Sequence, residues 1–278
     1  MNYFKSYSGR LFSFAVFVLI MLSAVVTVAV MLFVVLYIAA RGIPNISLKL
    51  FSLRYNSENV SMLPSIINTV YMTVISLALA VPSGVFAAVY LVEYTHGSSK
   101  LVRLIRITTE TLAGIPSIVY GLFGFLAFVT ALGWGYSLIA GAVTLAIMVL
   151  PVIIRTGEEA LLAVPKSYKE GSFGLGAGRV RPVFKRIIPS AMPGILSGVI
   201  LSAGRIAGET AALIFTAGTS AKVPVSLTDS ARTLSVHMYC LLSEGMYTNE
   251  AFATAAVLLV LVAGINALSE FAAKRLSR

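Results

Sequence analysis

Arg205 and Glu209 stand four residues apart inside a long apolar run, a spacing that sets both side chains on one face of a helix. An arginine at the centre of a bilayer costs about 2.5–3.5 kcal/mol on insertion scales, so its guanidinium must meet protein, water or a partner charge. Two kinds of partner suit it. Glu209 would satisfy it as a structural ion pair. A tetrahedral oxyanion would do so as a ligand, because a guanidinium grips such an anion through two parallel hydrogen bonds. Arg155 and Glu158 repeat the pairing at spacing three, near the end of another apolar run. Taken alone, that second pair reads as an interfacial anchor. Two such pairs in a chain with 12% charged residues favour an anion conduit, with Ser117 and Thr210 counted as further pathway residues.

Other chemistries lack their residues. No G-x-x-x-x-G-K-[ST] run exists, so the chain does not bind ATP through a P-loop. It has no G-x-S-x-G, no Cys/His dyad and no carboxylate cluster suited to acid–base or metal work, which argues against an enzyme. Cys240 is the sole cysteine, excluding an intrachain disulfide and a thiolate metal cluster. His96 and His237, the two histidines, fall in no metal-binding pattern, so no metal or other cofactor is expected on this chain.

Composition identifies the elements that hold these residues. The chain of 278 residues is 58% hydrophobic, with a mean hydropathy of +0.92. That is more apolar surface than one soluble core buries, so the chain is an all-α integral membrane protein. Its net charge of +10 is explained by basic residues beside the spans and by anionic lipid, with no need of nucleic acid. Basic Lys5 and Arg10 precede an apolar run too long for a signal peptide, so that run is read as a true span. Apolar stretches long enough to cross a bilayer occur at 11–40, 64–94, 108–132, 136–154, 194–217 and 250–272. Segments 1–10, 95–107, 155–193 and 273–278 hold 15 basic residues, against 5 in 41–63, 133–135 and 218–249. The positive-inside rule therefore predicts both termini and 155–193 in the cytoplasm. The expected organisation is a first span with an external loop (1–63), a permease domain (64–272) and a short basic cytoplasmic tail (273–278).

Gly and Pro punctuate the spans at Pro82, Gly84, Gly114, Pro116, Gly121, Gly141, Pro151, Gly198, Gly204 and Gly208. They admit two readings, close helix packing or broken helices that line a path. Gly114 to Gly121 favours breakage, because Gly, Pro, Ser117 and Tyr120 fall together at membrane depth. The external loop 218–249 is long and mildly polar, and could fold back against the spans.

Residues 155–193 form the one long polar island. Glu158 to Val164 can extend the fourth helix, which Pro165 then breaks. Tyr168 to Leu175 can form a short helix that Gly176 and Gly178 terminate, and a basic segment, Arg179 to Ile188, leads to Pro189 and Pro193. The island reads either as a solvated basic loop or, given Phe173, Leu175 and the glycines, as a knob that docks into another protein.

Glu170, Gly176 and Pro189 resemble in spacing the signature loop of ABC importer permeases, a Glu-Ala-Ala motif with Gly and a terminal Pro. Gly171 and Ser172 replace the two alanines, and Arg186 stands where an aliphatic residue is usual. Three further stretches, 112–121, 155–165 and 205–217, resemble the phosphate-specific importer permeases. Gly208 to Ala211, Phe215 to Ala217 and Val236 to Tyr239 resemble the PstA type rather than the PstC type.

The resemblance implies an ABC transporter type-1 permease fold with six spans in a prokaryotic cell membrane. It implies a coupling helix drawn from Glu170, Gly171, Ser172, Leu175, Gly176, Ala177 and Gly178 up to Pro189, seated in a cytoplasmic ATPase. The implied partners are a PstC-like second permease, two copies of a PstB-like P-loop ATPase that binds the ATP, and a PstS-like external phosphate-binding protein. Arg155, Glu158 and Arg205 match residues associated with passage of inorganic phosphate. The alternatives are an ABC permease for molybdate, sulfate or phosphonate, and a secondary carrier working without an ATPase.

Overall fold

The computed structural model describes residues 3–95, 100–174, 176–178 and 180–276. Leu175, with His96, Arg179 and Arg278, lies outside the described residues. Every regular element among the described residues is helical. Helix α1 spans Tyr3–Gly42, and two 3-10 turns, Ile43–Asn45 and Leu48–Phe51, lead to α2, Leu63–Val89, which continues as a π-helix over Tyr90–Tyr94. Helix α3 is Lys100–Ala113, α4 is Ser117–Gly124 with a π-helical continuation over Phe125–Ala131, and α5 is Leu138–Leu162. The short α6, Ser167–Gly174, is followed by α7, Val180–Pro182, which passes through a π-turn at Val183–Ile187 into α8, Ile188–Gly208. Helices α9, Ala211–Thr216, α10, Leu234–Glu244, and α11, Thr248–Leu276, complete the chain.

Among the described residues five helices are long and apolar enough to cross a membrane, or six when the pair α3–α4, bent by 105°, is counted as one span. The bend falls where the sequence dictates it. Pro116 disfavours the helical region for Ile115, and Pro116 itself is extended (ψ 142°), so the helix stops and restarts. The third span expected at 108–132 is therefore two half-helices. The fifth, expected at 194–217, is also corrected. It begins earlier, since Val180 to Gly208 is one helical run with Pro189 inside it, and it ends at Gly208, where Glu209 turns extended (φ −72°, ψ 130°). Pro189 does not stop this run: it follows directly on the π-turn at Val183–Ile187, where the regular i→i−4 bonding is already interrupted, so its missing N–H breaks no regular bond.

Helix α5 is the central post: 61% of its most apolar stretch is buried, against none of the corresponding stretch of α1, which therefore presents its apolar length to lipid or to another subunit. Met72 and Ala80 of α2 pack with Leu145, Met148, Val149 and Ile153 of α5 and with Ile206 and Leu213. The intramembrane glycines divide between the two readings. A Cβ on Gly84 would stand 2.7 Å from Ile153 Cγ2, and one on Gly141 would stand 2.9 Å from Ala217 Cβ, so these mark close packing. Gly208 has open space around it, and Gly114 meets only Thr111 O at 3.6 Å; these two mark the breaks.

Gly121 packs directly on backbone, because a Cβ there would lie 2.8 Å from Ala212 Cα. Backbone cannot yield as a side chain can, so Gly121→Ala should destabilise the fold by about 1–3 kcal/mol. A fall of several degrees in the thermal midpoint of the purified protein is expected. Gly264→Ala, which meets nothing within 4 Å, serves as the unperturbed control.

Loop 218–249 folds back onto the helices. Asn68 Nδ2 donates to Lys222 O (3.0 Å) and Arg232 O (3.2 Å), and the Leu234 N–H donates to Thr69 Oγ1 at 2.8 Å. The N–H groups of Leu138 and Ile139, orphaned at the start of α5, donate to Asp229 O and Leu227 O. Inside this cap the Arg232 guanidinium, 4% exposed, lies 4.8 Å from the Tyr55 ring centre, and Tyr55 meets His237 edge-on. Burial, reinforced by the Arg232 charge, holds His237 well below its ordinary value, at about 3, so the imidazole is neutral.

Candidate functional site

The breaks in two spans meet. Gly121 of α4 abuts Ala211 and Ala212 of α9, and Gly124 abuts Thr216, so the half-helices after the two breaks lie side by side. Tyr120 Oη closes the first break by donating to Leu112 O at 2.8 Å. Ser117 opens α4, Arg205 occupies the last turn of α8, and Glu209 and Thr210 form the link between α8 and α9. The geometry thus gathers Ser117, Tyr120, Arg205, Glu209 and Thr210 around one discontinuity.

Arg205 and Glu209 do not share a helical face. Among the described residues no ion pair joins them, because the chain leaves the helix at Glu209. The Glu209 carboxylate instead accepts the Ala212 N–H at 3.2 Å and caps α9, while its backbone carbonyl accepts the Ser235 hydroxyl at 2.6 Å. Each bond satisfies a polar group that a break within an apolar zone would otherwise leave unpaired. Arg205 is exposed on the surface of the chain.

Arg155 and Glu158 also part company. Arg155 Nε donates to Glu159 Oε1 at 3.1 Å, one helical turn on. Glu158 turns the other way, to α3, where its Oε2 lies 3.6 Å from Arg106 Nε. The Glu158 side chain is 15% exposed and its other oxygen is buried with no hydrogen-bond partner. These groups edge a cavity of about 360 Å³ between α3 and α5, which Thr109 and Glu110 of α3 also line. This cavity lies at the far end of α5 from the capping loop, next to the polar island.

In that island α6 ends as its glycine requires. Gly176 adopts φ +77°, its N–H donates to Phe173 O (2.9 Å), and the Ala177 N–H donates to Ser172 O (3.1 Å). That pair of bonds is the Schellman closure, which a side chain at position 176 would strain. The knob presents Tyr168, Glu170, Gly171 and Phe173 to its surroundings, and a Cβ on Gly171 or Gly174 would touch nothing. Ser172 and Ala177 are half-buried, and Gly178 and Pro189 are exposed.

A bundle of apolar helices, two broken spans and an exposed knob between the fourth and fifth spans has known counterparts. Residues 80–278 match the family described as the binding-protein-dependent transport system inner membrane component. The chain belongs to that family. This permease is 35% identical over 263 residues to the probable ABC transporter permease protein YqgI of Bacillus subtilis, covering 88% of this chain and 89% of the relative. It is 36% identical over 210 residues to the phosphate transport system permease protein PstA 1 of Mycobacterium tuberculosis, covering 73% of this chain and 68% of the relative. Among solved structures, the inward-facing MetNI methionine ABC transporter superposes with a TM-score of 0.64 at 21% identity, covering 77% of this chain and 95% of that one. At that identity the likeness speaks for the fold alone. The permease is thus a multi-pass importer subunit of the ABC type-1 fold and a homologue of PstA-type permeases.

Two residues of this permease escape a reading by pairs in sequence. Arg106 counts there as one more basic residue of segment 95–107, and Glu159 as a neighbour of Glu158. The signal was helical register: Arg103, Arg106 and Glu110 recur at three- and four-residue spacing, a polar face on α3 that needs polar company.

Proposed function

We propose that the chain is one of two permeases in an ATP-driven phosphate importer and forms half of the path for inorganic phosphate. One observation carries this. Arg205, at the close of α8 in an apolar zone, leaves its guanidinium uncovered by its own chain. A charge at that depth needs a water-filled path or a second subunit opposite it, and a path between two permeases supplies both. The likeness to phosphate-system permeases supports phosphate as the cargo. An external binding protein hands over the anion, and a pair of P-loop ATPases, which bind the ATP, drives alternating access by gripping the α6 knob. The chain itself needs no cofactor. The excess of basic residues around the knob supports a cytoplasmic location for it and for both termini. ATP acts by favouring one conformation of the permease pair, since the knob is held differently in each.

Selectivity at Glu209 rests on a proton. Phosphate near neutral pH keeps one and sulfate does not, so a carboxylate accepts a hydrogen bond from the first and repels the second. Glu209→Gln retains an oxygen to cap α9 and so should keep the fold.

The test is uptake by the complete importer in proteoliposomes. ATP-dependent accumulation of [32P]phosphate is expected, lost when the binding protein is omitted and resistant to excess sulfate or molybdate. Glu209→Gln should narrow the preference for phosphate over sulfate by about five- to tenfold, one hydrogen bond's worth. Transport by this chain alone, or a different oxyanion winning the competition, would overturn the proposal. Unchanged discrimination in the variant would remove Glu209 from selectivity.

A further inference from the structure

The cavity between α3 and α5 is lined by two guanidiniums, Arg106 and Arg155, and by three carboxylates, Glu110, Glu158 and Glu159. That is an odd lining for an anion site, since the carboxylates outnumber the cations. The pairing explains it. Each guanidinium is already engaged by a carboxylate of α5, Arg106 by Glu158 at 3.6 Å and Arg155 by Glu159 at 3.1 Å. The Arg106–Glu158 contact is too long for a hydrogen bond, and one Glu158 oxygen is buried without a donor. A half-satisfied carboxylate of this kind is costly to keep and easily moved. The cavity, at about 360 Å³, has room for some ten water volumes and hence for a hydrated tetrahedral anion.

We infer that Arg106 and Arg155 form a second oxyanion site at the knob end of the path, and that Glu158 and Glu159 are built-in competitors for it. With the carboxylates on the arginines, as in this structure, the site has low affinity and its net charge repels an anion. With the carboxylates swung aside, the two guanidiniums face the cavity and hold one. Exchange of internal for external oxyanion makes the last step of passage a displacement, in which the protein's own carboxylate expels the cargo. Arg106 sits on the half-helix before the 105° bend and Glu158 on the helix that leads to the knob, so a shift of α3 against α5 alters the exchange. Glu158 is thereby a release residue, and Arg106 a further cation of the path.

The inference rests on the proposed function for its ligand class, an oxyanion, but not for phosphate in particular. A merely structural strut between α3 and α5 makes one prediction: removing either charge weakens the same property in the same direction. Competition makes the opposite one. In the complete nucleotide-free importer in detergent, equilibrium binding of [32P]phosphate should tighten about tenfold in Glu158→Gln, within the usual range of coupling between sites. Binding should weaken by a similar factor in Arg106→Gln, and in the double variant it should follow Arg106→Gln. Arg106→Lys, a point charge without the planar fork, should fall between. The same series run with [35S]sulfate and with molybdate separates the two claims. If another oxyanion binds in place of phosphate, the cargo assignment fails while the signs, read on that anion, still decide the exchange. Shifts of the same sign in both single variants, or no binding in any variant, would overturn it.

Discussion

Replacing Arg205 by alanine should abolish phosphate uptake by the complete importer while the complex still assembles. The expectation comes from what the side chain does and does not touch. Among the described residues it has no ion-pair partner, and Glu209 caps α9 instead, so alanine strands no buried carboxylate. Alanine is also the best helix former, so the last turn of α8 keeps its backbone. What disappears, on the proposed function, is a fork of charge-assisted hydrogen bonds to the passing anion. Each is worth about 1.5–3 kcal/mol, so losing two costs roughly a hundredfold or more in rate. Arg205→Lys should retain part of the activity, since an ammonium supplies charge without the paired donors. [32P]phosphate uptake in proteoliposomes, with co-purification of the subunits, checks both halves of the statement. Loss of assembly would make Arg205 a structural residue, and uptake near wild-type levels would take it out of the path.

On the proposed coupling, Gly171→Trp should separate the permease from its ATPase. A Cβ at position 171 meets nothing within 4 Å, so this chain accommodates a large side chain there without strain. An ATPase groove shaped for a flat helix, as the proposed function requires, would not. Overpacking costs about 1–3 kcal/mol in a closely packed contact, and a tryptophan exceeds any cavity a glycine leaves. The expected result is at least a tenfold loss of co-purifying ATPase and of ATP-driven uptake, with an unaltered thermal midpoint for the isolated permease. Gly171→Ala, which only adds a methyl group, should leave both intact. A tryptophan variant that still holds its ATPase and transports would exclude this face of α6 from docking.

Much of the architecture is legible in the chain because its causes are local. Apolar length requires spans, since a bilayer leaves backbone groups no partner but a helix. Gly114-Ile115-Pro116 favours a break, because the proline ring disfavours the helical region before it and Gly114 stands just ahead of it; Pro82 and Pro151, with no glycine just ahead of them, stay inside helices. Gly176 ends α6 because the closing turn needs positive φ. The break at Gly208 gave no such signal. Residues 194–217 keep the mean hydropathy of a span despite Arg205 and Glu209, and hydropathy does not record that a chain has left the helix and returned to it.

Side-chain partners were the harder part. Spacing in sequence favours Arg205 with Glu209 and Arg155 with Glu158, and both pairings dissolve in three dimensions. The first fails because Glu209 is needed as a cap at a helix start. The second fails because α3, folded back by its bend, brings Arg106 to Glu158 and leaves Arg155 to Glu159. The class of protein, the approximate spans, the break near Pro116 and the knob follow from hydropathy, proline and glycine acting over a few residues. Which charges meet does not, because an ion pair between distant segments depends on how helices pack, and no local preference encodes that.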